Sequence, residues 1–119
     1  MTWVYVALAG AAGAMTRYGI TLAVGDRSFP LTTLAINVTG SFLLGWVLTV
    51  GALGRLSPQA TTALAVGFLG AYTTYSTFSW ELFTLGRTDR LVATVLYLAL
   101  SVTLGVLAAA AGYRLGKGI

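Results

Sequence analysis

This chain predicts an all-α membrane protein of four transmembrane helices, and three observations carry that fold class. Of its 119 residues, 57% are hydrophobic and only 8% charged, against roughly 25% charged in soluble domains. The mean hydropathy is +0.86. The few charges also fall where they divide the chain into four apolar stretches, each meeting or exceeding the roughly 20 residues that a bilayer-crossing helix needs.

The first stretch, Trp3 to Gly25, holds a single charge, Arg17. It is too long for the apolar region of a signal peptide and has no basic segment before it, so it reads as a retained membrane helix. The second, 28–54, lies between Arg27 and Arg55; the third, 56–80, between Arg55 and Glu81; the fourth, 91–113, between Arg90 and Arg114. The expected spans are about 3–25, 31–53, 60–85 and 91–114, forming one domain over 1–119. Short connectors carry the turn residues, and Pro30 and Pro58 stand where a helix start tolerates proline. Trp3, Tyr18, Trp80 and Tyr113 fall near span ends, as an interfacial aromatic belt requires.

Composition excludes several function classes. There is no Cys and no His, so disulfides, thiolate metal sites and His-based catalysis are ruled out. Seven Lys and Arg scattered singly make no basic patch for nucleic acid despite a pI near 9.9. Hydroxyls are plentiful, but no His, Cys or embedded carboxylate activates them, so no enzyme is expected. With four spans, both termini share a side with Arg55, Arg114 and Lys117, while Arg27, Arg87 and Arg90 lie opposite. Three basic residues against three, with Arg17 inside the first span adding at most one to the second side, give the positive-inside rule almost nothing to choose between. The balance suggests insertion in both orientations and an antiparallel homodimer; chance balance in a small protein is the plainer account. The halves show no internal repeat, and four thin helices enclose no pore alone. Small residues offer surfaces for association: Gly10, Gly13, Ala14, Gly105, and Gly112 with Gly116 as GxxxG; that Gly and Ala are simply common in membrane helices is the plainer account.

Polar residues inside the spans locate the chemistry. Gly67 to Ser79 sets two glycines before an unbroken hydroxyl run, Thr73, Thr74, Tyr75, Ser76 and Thr77. Weakened backbone at membrane depth is tolerated only in protein or along a cavity, so a helix break is expected near the middle of this third span. Its freed carbonyls would suit a cation; close packing is the simpler use of Gly70. Tyr75 and Phe78 share a helix face, and their ring edges carry partial positive charge toward an anion; ordinary aromatic packing uses the same spacing. Asn37 lies in the second span near Thr39 and Ser41. Its amide donates to an anion without trapping it, or bonds another helix. Tyr97 and Ser101, with Thr94 one turn away, make a hydroxyl stripe on the fourth span. Arg17 either snorkels or gathers anions at a vestibule, and Glu81 ends the third span.

Three segments together resemble the Fluc (CrcB) family of fluoride channels, nearly throughout the chain. They are Gly10 to Tyr18, a Gly-rich stretch ending Arg-Tyr; Thr33 to Phe42, which contains Asn37; and Gly67 to Glu81, similar to the family's Thr-Thr-Phe-Ser-Thr-Phe core before an acidic residue. The resemblance implies a dual-topology antiparallel homodimer in the cell membrane, with two fluoride pores and passive export of fluoride from the cytoplasm. Tyr75 and Phe78 would line the pores with Asn37, Ser76, Thr77, Tyr97 and Ser101. Gly70 and Thr73 carbonyls would hold a central, structural Na⁺ at the dimer interface. Arg17 would sit at a vestibule and Glu81 at the opposite approach. Tyr75 stands where the family usually has Phe, and Gly105 where the fourth-span track would continue.

Two rival classes share the size. A small multidrug-type proton antiporter needs a carboxylate inside the membrane, which the first, second and fourth spans lack. A non-conducting assembly subunit would leave the clustered hydroxyls without a purpose.

Overall fold

The computed structural model describes residues 1–25 and 27–119, and it is helical with no strand among them. Four helices run α1 (Thr2–Val24), α2 (Leu31–Ala52), a broken third and a long fourth. The third is built from α3 (Pro58–Thr62), a π-helical stretch (Ala63–Leu69), α4 (Gly70–Tyr72) and, after an interruption, α5 (Tyr75–Arg87). The fourth, α6 (Leu91–Lys117), runs past Arg114.

Local chemistry sets the ends. The Ser57 side chain accepts from the Ala60 N–H at 3.1 Å, and Pro58 fills the first helical position, where its missing N–H costs nothing. α6 stops at Gly118, whose φ of 83° turns the chain left-handed and lets Ile119 N–H reach the Arg114 carbonyl at 2.9 Å. Among the described residues, only Leu31–Ala52 and Leu91–Lys117 are each long and apolar enough to cross a bilayer as single helices. The third segment falls short because its apolar run is split at Thr73 and Thr74. We find no such single cause for α1, which combines Arg17 with many small and hydroxylated residues.

Packing divides into two pairs. α1 lies against the first half of the third helix, and α2 lies along α6. Glycine permits both approaches. A Cβ at Gly13 would collide with the Phe68 carbonyl, and one at Gly67 would stand 2.8 Å from the Val6 oxygen. Across the other pair, a Cβ at Gly45 would collide with the Ala109 carbonyl and one at Gly112 with that of Phe42. A Cβ at Gly116 would lie 2.8 Å from Thr49. This corrects the expectation that Gly13, Gly112 and Gly116 offer surfaces to a second chain, because the folded chain already fills them. Gly70 differs: it is helical, exposed and meets nothing closer than its own Ala65 carbonyl at 3.8 Å. Close packing within the chain does not explain it. The core joins α2 to the third helix through Ile36, Val47, Leu69 and Tyr72.

Candidate functional site

The interruption of the third helix is the centre of the site. It lies at Thr73 and Thr74, both extended, with ψ of 157° and 119°. The glycines before it remain helical. Two hydroxylated residues, not a glycine, form the break, and side chains take up several of the backbone groups it bares. Asn37 supplies two of the bonds: its Oδ1 accepts from the Thr74 N–H at 2.9 Å, and its Nδ2 donates to the Thr74 carbonyl at 3.1 Å. The Thr74 Oγ1 caps α5 by accepting from the Thr77 N–H at 3.2 Å. Arg17 donates from Nε to the Ala71 carbonyl at 3.1 Å, setting a cation at the negative end of α4. Arg17 therefore reaches inward, to the break.

Those bonds release two carbonyls. In a continuous helix the Thr74 N–H would serve Gly70 and the Thr77 N–H would serve Thr73. Asn37 takes the first and Thr74 Oγ1 takes the second. Oxygen donors of this kind suit a hard cation, so the fit to Gly70 and Thr73 follows from the donor set.

Two clefts meet at Thr74, which lines both. The smaller, about 390 Å³, brings together Asn37, Gly70, Thr73, Tyr75, Phe78 and Ser101 from three separate helices. The Ser101 Oγ is buried there without a hydrogen-bond partner among the described residues. A buried hydroxyl left this way invites a ligand or water. Phe78 turns edge-on to Tyr97, with centroids 5.0 Å apart and planes at 66°. Tyr75 tilts at 49° to Phe78, 6.3 Å away, and is 82% exposed, so its hydroxyl points out of the core.

The larger cleft, about 750 Å³, holds Arg17, Thr77 and Glu81, with Arg27 and Arg90 at its lining. Arg17 and Glu81 were expected at opposite approaches; both line this one cleft. Glu81 is half-buried, accepting from Thr33 Oγ1 at 2.6 Å and from the Tyr97 hydroxyl at 3.0 Å. Tyr97, fully buried, thus links the clefts by touching Glu81 on one side and Phe78 on the other. Ser76 is exposed, 3.4 Å from Thr74 Oγ1. The fourth-span hydroxyl stripe divides, since Thr94 donates to its own helix at Arg90 and only Ser101 opens on the smaller cleft.

Sequence reasoning missed three contributors. Thr74 is the pivot of the break, and its spacing to Thr77 carried a capping signal. Thr33 orients Glu81, and Phe29, in the first connector, packs edge-on against Tyr97 at 5.6 Å. Neither had a signal in spacing alone, because both contacts join distant parts of the chain.

Residues 4–113 match the family described as CrcB-like protein, Camphor Resistance (CrcB). A protein of Acidobacterium capsulatum named fluoride-specific ion channel FluC is 43% identical over 100% of this chain and 98% of its own length. Proteins with the same name from Hahella chejuensis and Thermus thermophilus are 45% and 42% identical. Each alignment covers 96% of this chain, and 93% and 92% of those proteins respectively.

Proposed function

The chain belongs to the CrcB family, and on that footing we propose that it is a fluoride-selective channel. It crosses the cell membrane four times and lets fluoride leave the cytoplasm passively, limiting its toxicity. The observation that carries this reading is the smaller cleft, where donors converge without a full charge. Fluoride is small and strongly hydrated, so leaving water requires replacement donors at each step. The Ser101 hydroxyl has no other partner among the described residues. Asn37 keeps one N–H after bonding Thr74. The edges of Phe78 and Tyr75 supply weak positive potential. Many weak contacts and no trap are what conduction needs. Arg17, Arg27 and Arg90 around the larger cleft raise the local anion concentration.

The working unit in this proposal is an antiparallel, dual-topology homodimer with two pores. The near-equal Lys and Arg on the two sides support it, as does Gly70, exposed beside two released carbonyls. Two chains meeting there would bring four oxygens together, which suits one structural Na⁺ that is held and not transported. Such an ion would fix the two breaks against each other, leaving Asn37, Phe78 and Ser101 to handle the anion.

The test is fluoride efflux from proteoliposomes, with chloride as control. Rapid fluoride efflux with negligible chloride is expected, reduced at least tenfold in Asn37→Asp and Phe78→Ile. A folded protein passing neither anion would end the proposal. Glu81, half-buried in the protein, is the carboxylate a proton-coupled antiporter would use. Transport that required a pH gradient and vanished in Glu81→Gln would move the assignment there.

A further inference from the structure

A third cleft, of about 280 Å³, lies away from the break on the outer side of the α2–α6 pair. Leu48, Thr49, Ala52 and Leu53 form one wall, and Tyr113 and Lys117 the other. We infer that it is a binding site for an anionic phospholipid, with the acyl chain against Leu48, Ala52 and Leu53 and the phosphate at Lys117.

The argument rests on charge and its placement. Lys117 Nζ sits over the Tyr113 ring, 5.7 Å from its centroid, and makes no hydrogen bond among the described residues. A cation at the end of α6 would ordinarily be drawn to the helix's own free carbonyls. Here Arg55 does that work, donating from Nη1 to the Gly116 carbonyl at 2.9 Å. Lys117 is thereby left to a ligand, with its ammonium held at the rim by the aromatic face. Arg114 lies one turn back on the same helix. None of the three side-chain carboxylates of the chain belongs to this end in sequence: Asp26 follows α1, and Glu81 and Asp89 bracket the end of α5. The end is therefore cationic above an apolar groove, and a phospholipid with a net negative headgroup matches both parts. A zwitterionic lipid brings its own cation toward Lys117 and matches only the groove. Thr49 supplies shape, since its hydroxyl is committed to the Gly45 carbonyl at 2.7 Å.

The site is independent of conduction and is tested without it. Purified full-length protein is titrated with short-chain phosphatidylglycerol or phosphatidylcholine, and bound lipid is counted by native mass spectrometry. Phosphatidylglycerol is expected to bind about fivefold tighter, the contribution of one basic residue at a membrane surface. Lys117→Gln should abolish that preference. Ala52→Trp, which fills the groove and keeps every charge, should abolish it too, while Arg87→Gln at the other end should leave it unchanged. Equal affinity for the two lipids, or a preference that survives Lys117→Gln, overturns the proposal. Displacement of the lipid by millimolar inorganic phosphate also overturns it, because the site would then recognise the free anion.

Discussion

The α2–α6 seam and the break in the third helix solve one problem by opposite means. Both bring backbone close to other protein at membrane depth. The seam does it by deletion: Gly45, Gly112 and Gly116 remove side chains so that carbonyls and neighbouring helices touch. Its backbone bonds stay inside each helix, and dispersion holds it. The break does it by addition. Thr73 and Thr74 leave the helix, and Asn37, Thr74 and Arg17 replace part of the lost bonding. A seam of glycines is rigid and chemically silent. A break held by side chains ends with spare valence: two released carbonyls, one amide N–H and a Ser101 hydroxyl unpaired among the described residues. Function is expected where satisfaction is borrowed from side chains, because only there is something left for a ligand.

Three substitutions break or sharpen that contrast. Gly112→Leu should have the largest effect, since no side chain fits beside the Phe42 carbonyl; overpacking of this kind costs about 3 kcal/mol. The expected outcome is loss of a monodisperse, folded peak in size-exclusion chromatography, with no folded protein left to assay for transport. Survival of Gly112→Leu with normal thermal stability would mean that the seam is loosely packed. Asn37→Leu removes both bonds to Thr74 at nearly constant volume. Leaving a partly buried N–H and carbonyl unpaired costs about 2 kcal/mol, so the fold should persist with a lower melting temperature while anion flux falls at least tenfold. An unchanged melting temperature would show that the break does not depend on Asn37. The smallest effect is expected for Thr74→Val, which removes the cap of α5 at about 1 kcal/mol. It also returns the Thr77 N–H toward the Thr73 carbonyl. If that oxygen serves a cation, any dependence of activity or stability on Na⁺ should weaken in this variant more than stability itself does. A Na⁺ response identical to that of the parent protein would remove Thr73 from the cation's shell.

Particular residues show how far the sequence could be read. The hydroxyl run was legible as a break because five polar residues in succession contradict a lipid-facing helix. Its position within the run was not, since glycines looked like the weak point and proved helical. Asn37 left two uses open, and its side chain takes the interhelical one while retaining one N–H for the other. Arg17 and Glu81 stand far apart in the chain, so only folding shows that they share a cleft. The small residues were legible as packing surfaces, but a glycine carries no mark of its partner. Gly112 and Gly116 therefore suggested a second chain where the partner is α2.

By itself the sequence determined the helical class, the short connectors and the segment that carries polar chemistry. Those properties follow from composition and local spacing, and they are fixed by neighbours a few residues apart. Tertiary structure alone decided which carbonyls are released, which hydroxyl lies unpaired and which charges stand together. Each of these depends on whether a donor from another helix arrives within about 3 Å, and nothing in local spacing encodes that distance.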